Sequence, residues 1–280
     1  MRVAVTGASG FIGSVLMPAL RARGHEARAV MRDAMASAAC FTGMDVVVHL
    51  ANLAHGRATA SLLHQVNVEG TRKLADLAAA TGVRRMIYLS SVKAVGEESG
   101  DRPLDGSEVP APRDDYGRSK LAAEHALQEV AAATGLDIVT LRPPLVYGPG
   151  VKANFLALMR AIDRGWPLPL AAVPSRRSLV YVGNLCDAIA SCLGHASAAG
   201  RAYFVTDGAA VSLPSLCRAI GDALERPARL FPLPPALIPV ARFRHSLEVD
   251  DAALRRELGW RPPFSLEEGL RATAEWYLGR

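Results

Sequence analysis

Lysine is scarce in this chain: four lysines, at positions 73, 93, 120 and 152, stand among 32 basic residues, and the remainder are arginine. Each lysine is therefore worth individual inspection. Cysteine is scarce too. Cys40, Cys186, Cys192 and Cys217 are scattered without metal-ligand spacing, so they read as reduced structural thiols and no metal site is expected. No apolar stretch approaches the roughly 18 residues that cross a membrane. Gly and Ser interruptions soon after Arg2 argue against a signal peptide, so a cytoplasmic protein without membrane insertion is expected. No basic run exceeds two residues, as at Arg84-Arg85, Arg176-Arg177 and Arg255-Arg256, and no aromatics interleave with them, which excludes a single-strand nucleic-acid groove. The net charge of +5 fits an anionic ligand and equally a nonspecific attraction to nucleic acid.

What the chain does have is a regular alternation of strand and helix signals. Arg2–Thr6 is an apolar, β-branched run, followed at once by Gly7-Ala-Ser-Gly10-Phe-Ile-Gly13 and a helical pattern to Gly24. In this strand, glycine turn and helix, Gly7 permits the tight turn, Gly10 lets a pyrophosphate approach the backbone and Gly13 allows close helix packing. The helix N-terminus adds free N–H groups and positive potential for phosphates. Pro18 is awkward within that helix, because it removes one intrahelical bond.

Further strands are expected at Glu26–Met31, Asp45–Leu50, Met86–Ser90 and Asp137–Leu141, with helices over Ser61–Thr81 and Tyr116–Thr134. Such alternation predicts an α/β, doubly wound parallel sheet with ligands at the carboxyl ends of its strands. Gly7, Arg32, His49-Leu-Ala51 and Ser90-Ser91 fall there. Asp33–Met44 is too short for another strand and crossover, so the edge strand next to the adenine is expected to be missing or vestigial. After Gly150 the alternation fades. Helices over Asn154–Arg164, Leu185–Leu193, Ser212–Leu224, Asp251–Leu258 and Ser265–Leu278 and strands at Leu179–Val182 and Ala202–Thr206 are expected, with Arg229–Pro239 as a wall or loop. The organisation is read as a dinucleotide-binding domain over 1–150 and a smaller α/β substrate domain over 151–280, with 179–206 returning to the first.

Tyr116 and Lys120 are spaced four apart on a predicted helix, so phenol and ammonium rise from one face. A cation beside a phenol favours the phenolate and makes the tyrosine a usable acid and base at a hydroxyl or carbonyl oxygen.

Taken together, Thr6-Gly-Ala-Ser-Gly-Phe-Ile-Gly13, Asp45–Ala51, Val66-Asn-Val-Glu-Gly-Thr71, Leu89-Ser-Ser91, Tyr116-Gly-Arg-Ser-Lys120 and Leu141–Pro149 are similar to the extended short-chain dehydrogenase/reductases. Within these, they resemble the sugar-nucleotide epimerase/dehydratase group. The resemblance implies a catalytic trio in which Ser91 holds the reacting oxygen, Tyr116 is the acid/base, and Lys120 binds the nicotinamide ribose and lowers the tyrosine pKa. It implies NAD(P) held by Gly7, Ser9, Gly10, Phe11, Ile12, Gly13, Arg32, Leu50, Ala51, Lys120 and Pro143. It further implies a UDP-sugar contacted by Asn67, Ser91, Lys93, Tyr116, Asn154 and Arg177. Relatives often dimerise through the helices flanking Tyr116, so a homodimer is implied.

Departures from the family pattern narrow the chemistry. Val92 and Lys93 stand where the 4,6-dehydratases carry Asp and Glu, which argues against dehydration. Val30-Met31-Arg32 ends the second strand without the ribose-binding Asp of NAD enzymes, so NADP(H) is slightly preferred over NAD(H), with Asp33 as an alternative ribose ligand. Arg142–Phe155 with Arg176–Leu179 resembles the bacterial reductases that make UDP-N-acetylquinovosamine for surface polysaccharide. The leading expectation is thus a UDP-4-keto-6-deoxy-HexNAc 4-reductase. A UDP-hexose 4-epimerase and a non-catalytic dinucleotide-binding protein remain as alternatives.

Overall fold

The structure is a computed structural model and describes residues 1–32, 35, 37–53, 58–234 and 245–280. The first half runs β1 (Arg2–Thr6), α1 (Phe11–Ala22), β2 (Glu26–Val30), β3 (Val46–His49), α2 (Ala60–Leu63), α3 (Gly70–Ala80), β4 (Arg85–Leu89), α4 (Asp115–Thr134) and β5 (Asp137–Arg142). The second half runs β6 (Leu145–Tyr147), α5 (Ala153–Asp163), β7 (Arg176–Arg177), β8 (Leu179–Tyr181), α6 (Val182–Cys192), β9 (Ala202–Phe204), β10 (Val211–Ser212), α7 (Leu213–Ala223), α8 (Ala252–Leu258) and α9 (Leu266–Leu278).

Six strands form one parallel sheet in the order β2-β1-β3-β4-β5-β9. Every residue of β3 and β4 is buried, as expected for strands covered on both faces. Val5, Leu16, Val48, Ile87, Leu141 and Ile189 fill one face of the sheet, and Val47, Leu74, Met86 and Leu127 fill the other. Full burial of each such side chain is worth about 1.5–3 kcal/mol. Among the described residues, the stretch between β2 and β3 holds a short 3₁₀ turn, Ala38–Cys40, and no strand, so β2 is the outermost strand on that side. The alternative ribose ligand, Asp33, lies outside the described residues.

Two expectations change shape. The helix expected over Ser61–Thr81 contains a π-helical turn at His64–Glu69 between α2 and α3. The strand expected at Leu179–Val182 pairs in parallel with Leu145–Tyr147 as a separate two-stranded sheet, while Val182 begins α6. Val180 and Val182 still belong to the same buried cluster as Val3, Val5 and Leu16. Pro18 is accommodated within a continuous α1 because it lies on the exposed face, as does Ser14, whose carbonyl it cannot engage. Among the described residues, no helix is long and apolar enough to cross a membrane.

Candidate active site

The glycine turn after β1 is shaped for close approach. Gly7 has φ of +68°, and a Cβ there would stand 2.8 Å from the Ala51 nitrogen, so Leu50 and Ala51 lie directly against it. A Cβ on Gly13 would sit 2.6 Å from Ala8 Cα, which explains why the helix can press on the turn only with glycine at that position. Gly10 occupies the N-cap of α1 without any side-chain cap, and the first turn carries no acid. Ser9 and Gly10 are exposed, leaving the helix N-terminus open to an anion. Phe11 lines the same rim, its ring within 3.4 Å of where a Gly150 Cβ would be. Ile12 lies behind it, its carbonyl facing Cys186. Arg32 is exposed just beyond β2. The uncapped N-terminus and the glycine cradle therefore fit a dinucleotide diphosphate.

A second cluster forms where β4, β5 and α4 meet. Ser90 N donates to the Leu141 carbonyl at 2.8 Å and Val92 N to the Pro143 carbonyl at 3.0 Å, locking the turn after β4 onto the chain leaving β5. Ser91 is half-buried and its Oγ accepts the Lys93 N–H at 3.2 Å, so it caps the short 3₁₀ turn Val92–Ala94. The turn is fastened to α4 in two ways. Lys93 Nζ reaches Asp114 Oδ2 at 2.6 Å, and Asp114, the N-cap of α4, accepts the Gly117 N–H at 2.7 Å. Gly117 then packs on the Lys93 carbonyl so closely that a Cβ would lie 3.1 Å from its carbon. Ser91 and Tyr116 are thus held to each other by Lys93, Asp114 and Gly117. Lys93 is also 3.4 Å from Glu97 Oε1, so its charge is bracketed by two carboxylates.

Lys120 is wholly buried. Its Nζ donates to the Leu89 carbonyl at 2.8 Å and stands 4.8 Å from the centre of the Tyr88 ring and 5.8 Å from that of Tyr116. Loss of solvation pulls its pKa down to about 7, against the upward pull of Glu124. The Tyr116 phenol moves the other way from the expectation. Burial, aided by the Asp114 carboxylate, holds its pKa above the ordinary value. Desolvation outweighs the neighbouring cation because Lys120 is itself desolvated and directs its N–H to a backbone carbonyl.

Asn67 is 1 % exposed and its amide is fully engaged within the protein. Its Oδ1 accepts the Leu53 N–H at 2.8 Å, and its Nδ2 donates to the Leu53 carbonyl at 3.1 Å and Ser119 Oγ at 3.0 Å. The wide π turn carries it to that position, where it ties the strand-end loop to the helix of Tyr116. Asn154 stands exposed in the first turn of α5, and Arg177 is half-buried on β7, its charge acting on Glu98.

The sequence pattern assigns no role to Glu124, and none beyond its place at a strand end to His49. Glu124, 3 % exposed, accepts Ser90 Oγ–H and pairs with Arg142, whose Nε is 3.1 Å and Nη2 2.5 Å away. The signal available was its place four residues after Lys120 on one helix face. His49 bridges Thr6 Oγ1 at 2.7 Å and Thr71 Oγ1 at 3.0 Å and stacks on Tyr88. Its complete burial, with Lys120 nearby, drives its pKa down to about 3, so it is neutral.

Among solved structures, the fold is similar to UDP-N-acetylglucosamine 4-epimerase from Bacillus cereus, with TM-score 0.86 and 21% identity over 99% of this chain and 98% of that one. RMD from Pseudomonas aeruginosa, solved with NADPH, gives TM-score 0.83 and 23% identity over 99% of both chains. In sequence, a UDP-glucose 4-epimerase of Vibrio cholerae is 38% identical over 251 residues, covering 83% of this chain and 76% of the relative. Residues 3–205 match the NAD dependent epimerase/dehydratase family, and with the glycine cradle and the cluster at α4 in place, the chain belongs to that family and is an NAD(P)-dependent enzyme.

Proposed function

We propose that the chain is a sugar-nucleotide oxidoreductase acting at C4 of a UDP-linked hexose, in the first instance a UDP-4-keto-6-deoxy-N-acetylhexosamine 4-reductase of surface polysaccharide synthesis. The observation that carries this reading is the fastening of Ser91 to Tyr116 through Lys93, Asp114 and Gly117, above a buried Lys120. This fastening, at the carboxyl edge of the sheet, supports Ser91 and Tyr116 acting together on one oxygen.

Gly7, Ser9, Gly10, Phe11, Ile12 and Gly13, with Leu50, Ala51, Pro143, Lys120 and Arg32, would hold NAD(P)H, which when bound would supply hydride to the sugar carbon. Ser91 donates a hydrogen bond to the C4 oxygen, and Tyr116 delivers the proton to that atom. A phenol held protonated suits this reductive direction. Lys120 stabilises the tyrosinate left behind until a solvent proton replaces the one given. Lys93 serves the sugar through Ser91, while Asn154 and Arg177 meet the uridine diphosphate, an arginine fork suiting phosphate. Asn67 acts through the loop at Leu53. NADPH is favoured over NADH by Arg32, and the absence of a described strand outside β2 supports a cofactor that exchanges at every turnover.

The Vibrio cholerae relative favours a second reading, a UDP-hexose 4-epimerase, in which the same residues act twice around a retained cofactor. The test is incubation with NADPH or NADH and UDP-4-keto-6-deoxy-N-acetylglucosamine, beside UDP-glucose and UDP-N-acetylglucosamine. Stoichiometric cofactor oxidation with a 4-hydroxy product is expected. Interconversion of the control sugars without net oxidation would replace the reductase by the epimerase, and cofactor binding without turnover on any sugar would leave a non-catalytic dinucleotide-binding protein.

A further inference from the structure

Beneath the proposed acid/base lies a group of buried charges. Lys120 and Glu124 occupy one face of α4, one turn apart, with Cβ atoms of such a pair about 6 Å from each other. Both are almost fully buried. Glu124 is fixed from three directions: by its own helix, by Arg142 at the end of β5 through both carboxylate oxygens, and by Ser90 at the end of β4. Ser90 is the immediate neighbour of Ser91, so the carboxylate is tied to the turn that carries the other proposed oxygen contact.

Glu124 is the carboxylate whose charge acts on Lys120, while that of Asp114 acts on the neighbouring Tyr116. Around Lys120 are His49 of β3, neutral and engaged with two threonines; Tyr88 of β4, whose ring lies 4.8 Å from Nζ; the Leu89 carbonyl; and Tyr116 and Glu124 of its own helix. Arg142 contributes a second cation behind the carboxylate. Removing the Glu124 carboxylate leaves the buried Lys120 and the half-buried Arg142 without their shared counter-charge, and the lysine is the one that can release its proton.

We propose that Glu124 is a positioning residue: clamped by Arg142 and Ser90, its carboxylate keeps the Lys120 ammonium charged beside Tyr116. The inference deepens the acid–base reading above. Burial pulls the lysine toward its neutral form, and the Glu124 carboxylate opposes that pull. Glu124 touches neither sugar nor cofactor and acts through Lys120.

The scarcity of lysine makes a direct test practical. With four lysines in the chain, ¹³Cε-lysine NMR gives four resonances, and that of Lys120 is assigned by elimination with K73R, K93R and K152R. In Glu124→Gln the Lys120 midpoint is expected to fall by at least about one pH unit, the scale of a single charge lost at helical i,i+4 range in a poorly solvated site. Glu124→Asp, which keeps the charge, should stay within about half a unit of the parent protein. Glu124→Met with Arg142→Met removes the whole pair while keeping its volume, a change that buried ion pairs tolerate, and is also expected to lower the midpoint. A midpoint that stays in place, or rises toward the ordinary lysine value as loosened packing would cause, overturns the proposal in either variant. This measurement needs no substrate, so it stands if the assigned reaction fails. Where turnover is measurable, E124Q should lose activity at pH 7.5 and recover it on acidification, whereas a purely structural defect would show the same fractional loss at every pH.

Discussion

At the β4–β5 side of the sheet, the strand ends lead into turns bound to α4 by paired charges, a capped helix start and a glycine contact, and the side chains that matter are buried or half-buried. At the β2 side, the strand shows three of its five residues to solvent, Arg32 beyond it is exposed, and no further strand covers it among the described residues. The two ends of one cleft therefore differ in how tightly they are defined. Chemistry at an oxygen requires placement within a fraction of an ångström, which a buried network provides. Holding an adenine needs area and a few exposed charges, each of which contributes little alone.

The contrast can be broken most sharply at Tyr116. Tyr116→Phe should reduce turnover at least about 100-fold while cofactor affinity, measured by fluorescence titration, stays near that of the parent. Equal losses in both would mean the two ends are not separable. Gly117→Ala comes next. It changes none of the proposed catalytic residues but forces a methyl against the Lys93 carbonyl, so the Ser91 turn must move from α4 and kcat should drop about 10-fold. An unchanged kcat would show that this spacing is not critical.

His49 tests the buried side through stability. Its folded pKa of about 3 lies below the ordinary 6.5, so its contribution is complete above pH 6.5 and is lost as pH falls toward 3. In that window it steepens the loss by up to about 1.4 kcal/mol per pH unit. Urea midpoints between pH 7.5 and 4 should decline less steeply in His49→Gln, and parallel slopes would contradict this. The smallest effect belongs to the exposed end. Arg32→Ala should raise the KM for NADPH about 3-fold and that for NADH less, as fits a solvated charge; a loss of 100-fold would place Arg32 in a far more enclosed site.

The central sheet was legible in the sequence because its strands are short apolar runs bounded by turn signals, and β1, β3, β4 and β5 fall within a residue or two of their expected limits. That no strand lies between β2 and β3 among the described residues was legible from the shortness of Asp33–Met44 and its lack of a strand pattern. The π turn was not, since one extra residue in a helical repeat leaves the amphipathic pattern nearly intact, and Asn67 accordingly emerges as a backbone clamp where a substrate contact was implied. Nor was the direction of the Tyr116 shift. The Tyr116–Lys120 spacing shows proximity, whereas the outcome depends on how deeply both groups are desolvated. Glu124 lay on the predicted helix Tyr116–Thr134 and Arg142 in the Leu141–Pro149 motif, but pairing between a helix and the following strand end has no local signature.

The π turn at His64–Glu69 also bears on the length of this helix. A wide turn stores one surplus residue without disturbing the helix on either side. Deleting one residue there would let the helix close into an ordinary α spiral, with α3 kept in place against the sheet. Asn67 would then swing about 100° around the axis and release the backbone of Leu53. A single-codon deletion could thus unfasten the loop after β3 while sparing the core, making this turn a natural point at which the mouth of the cleft can be remodelled.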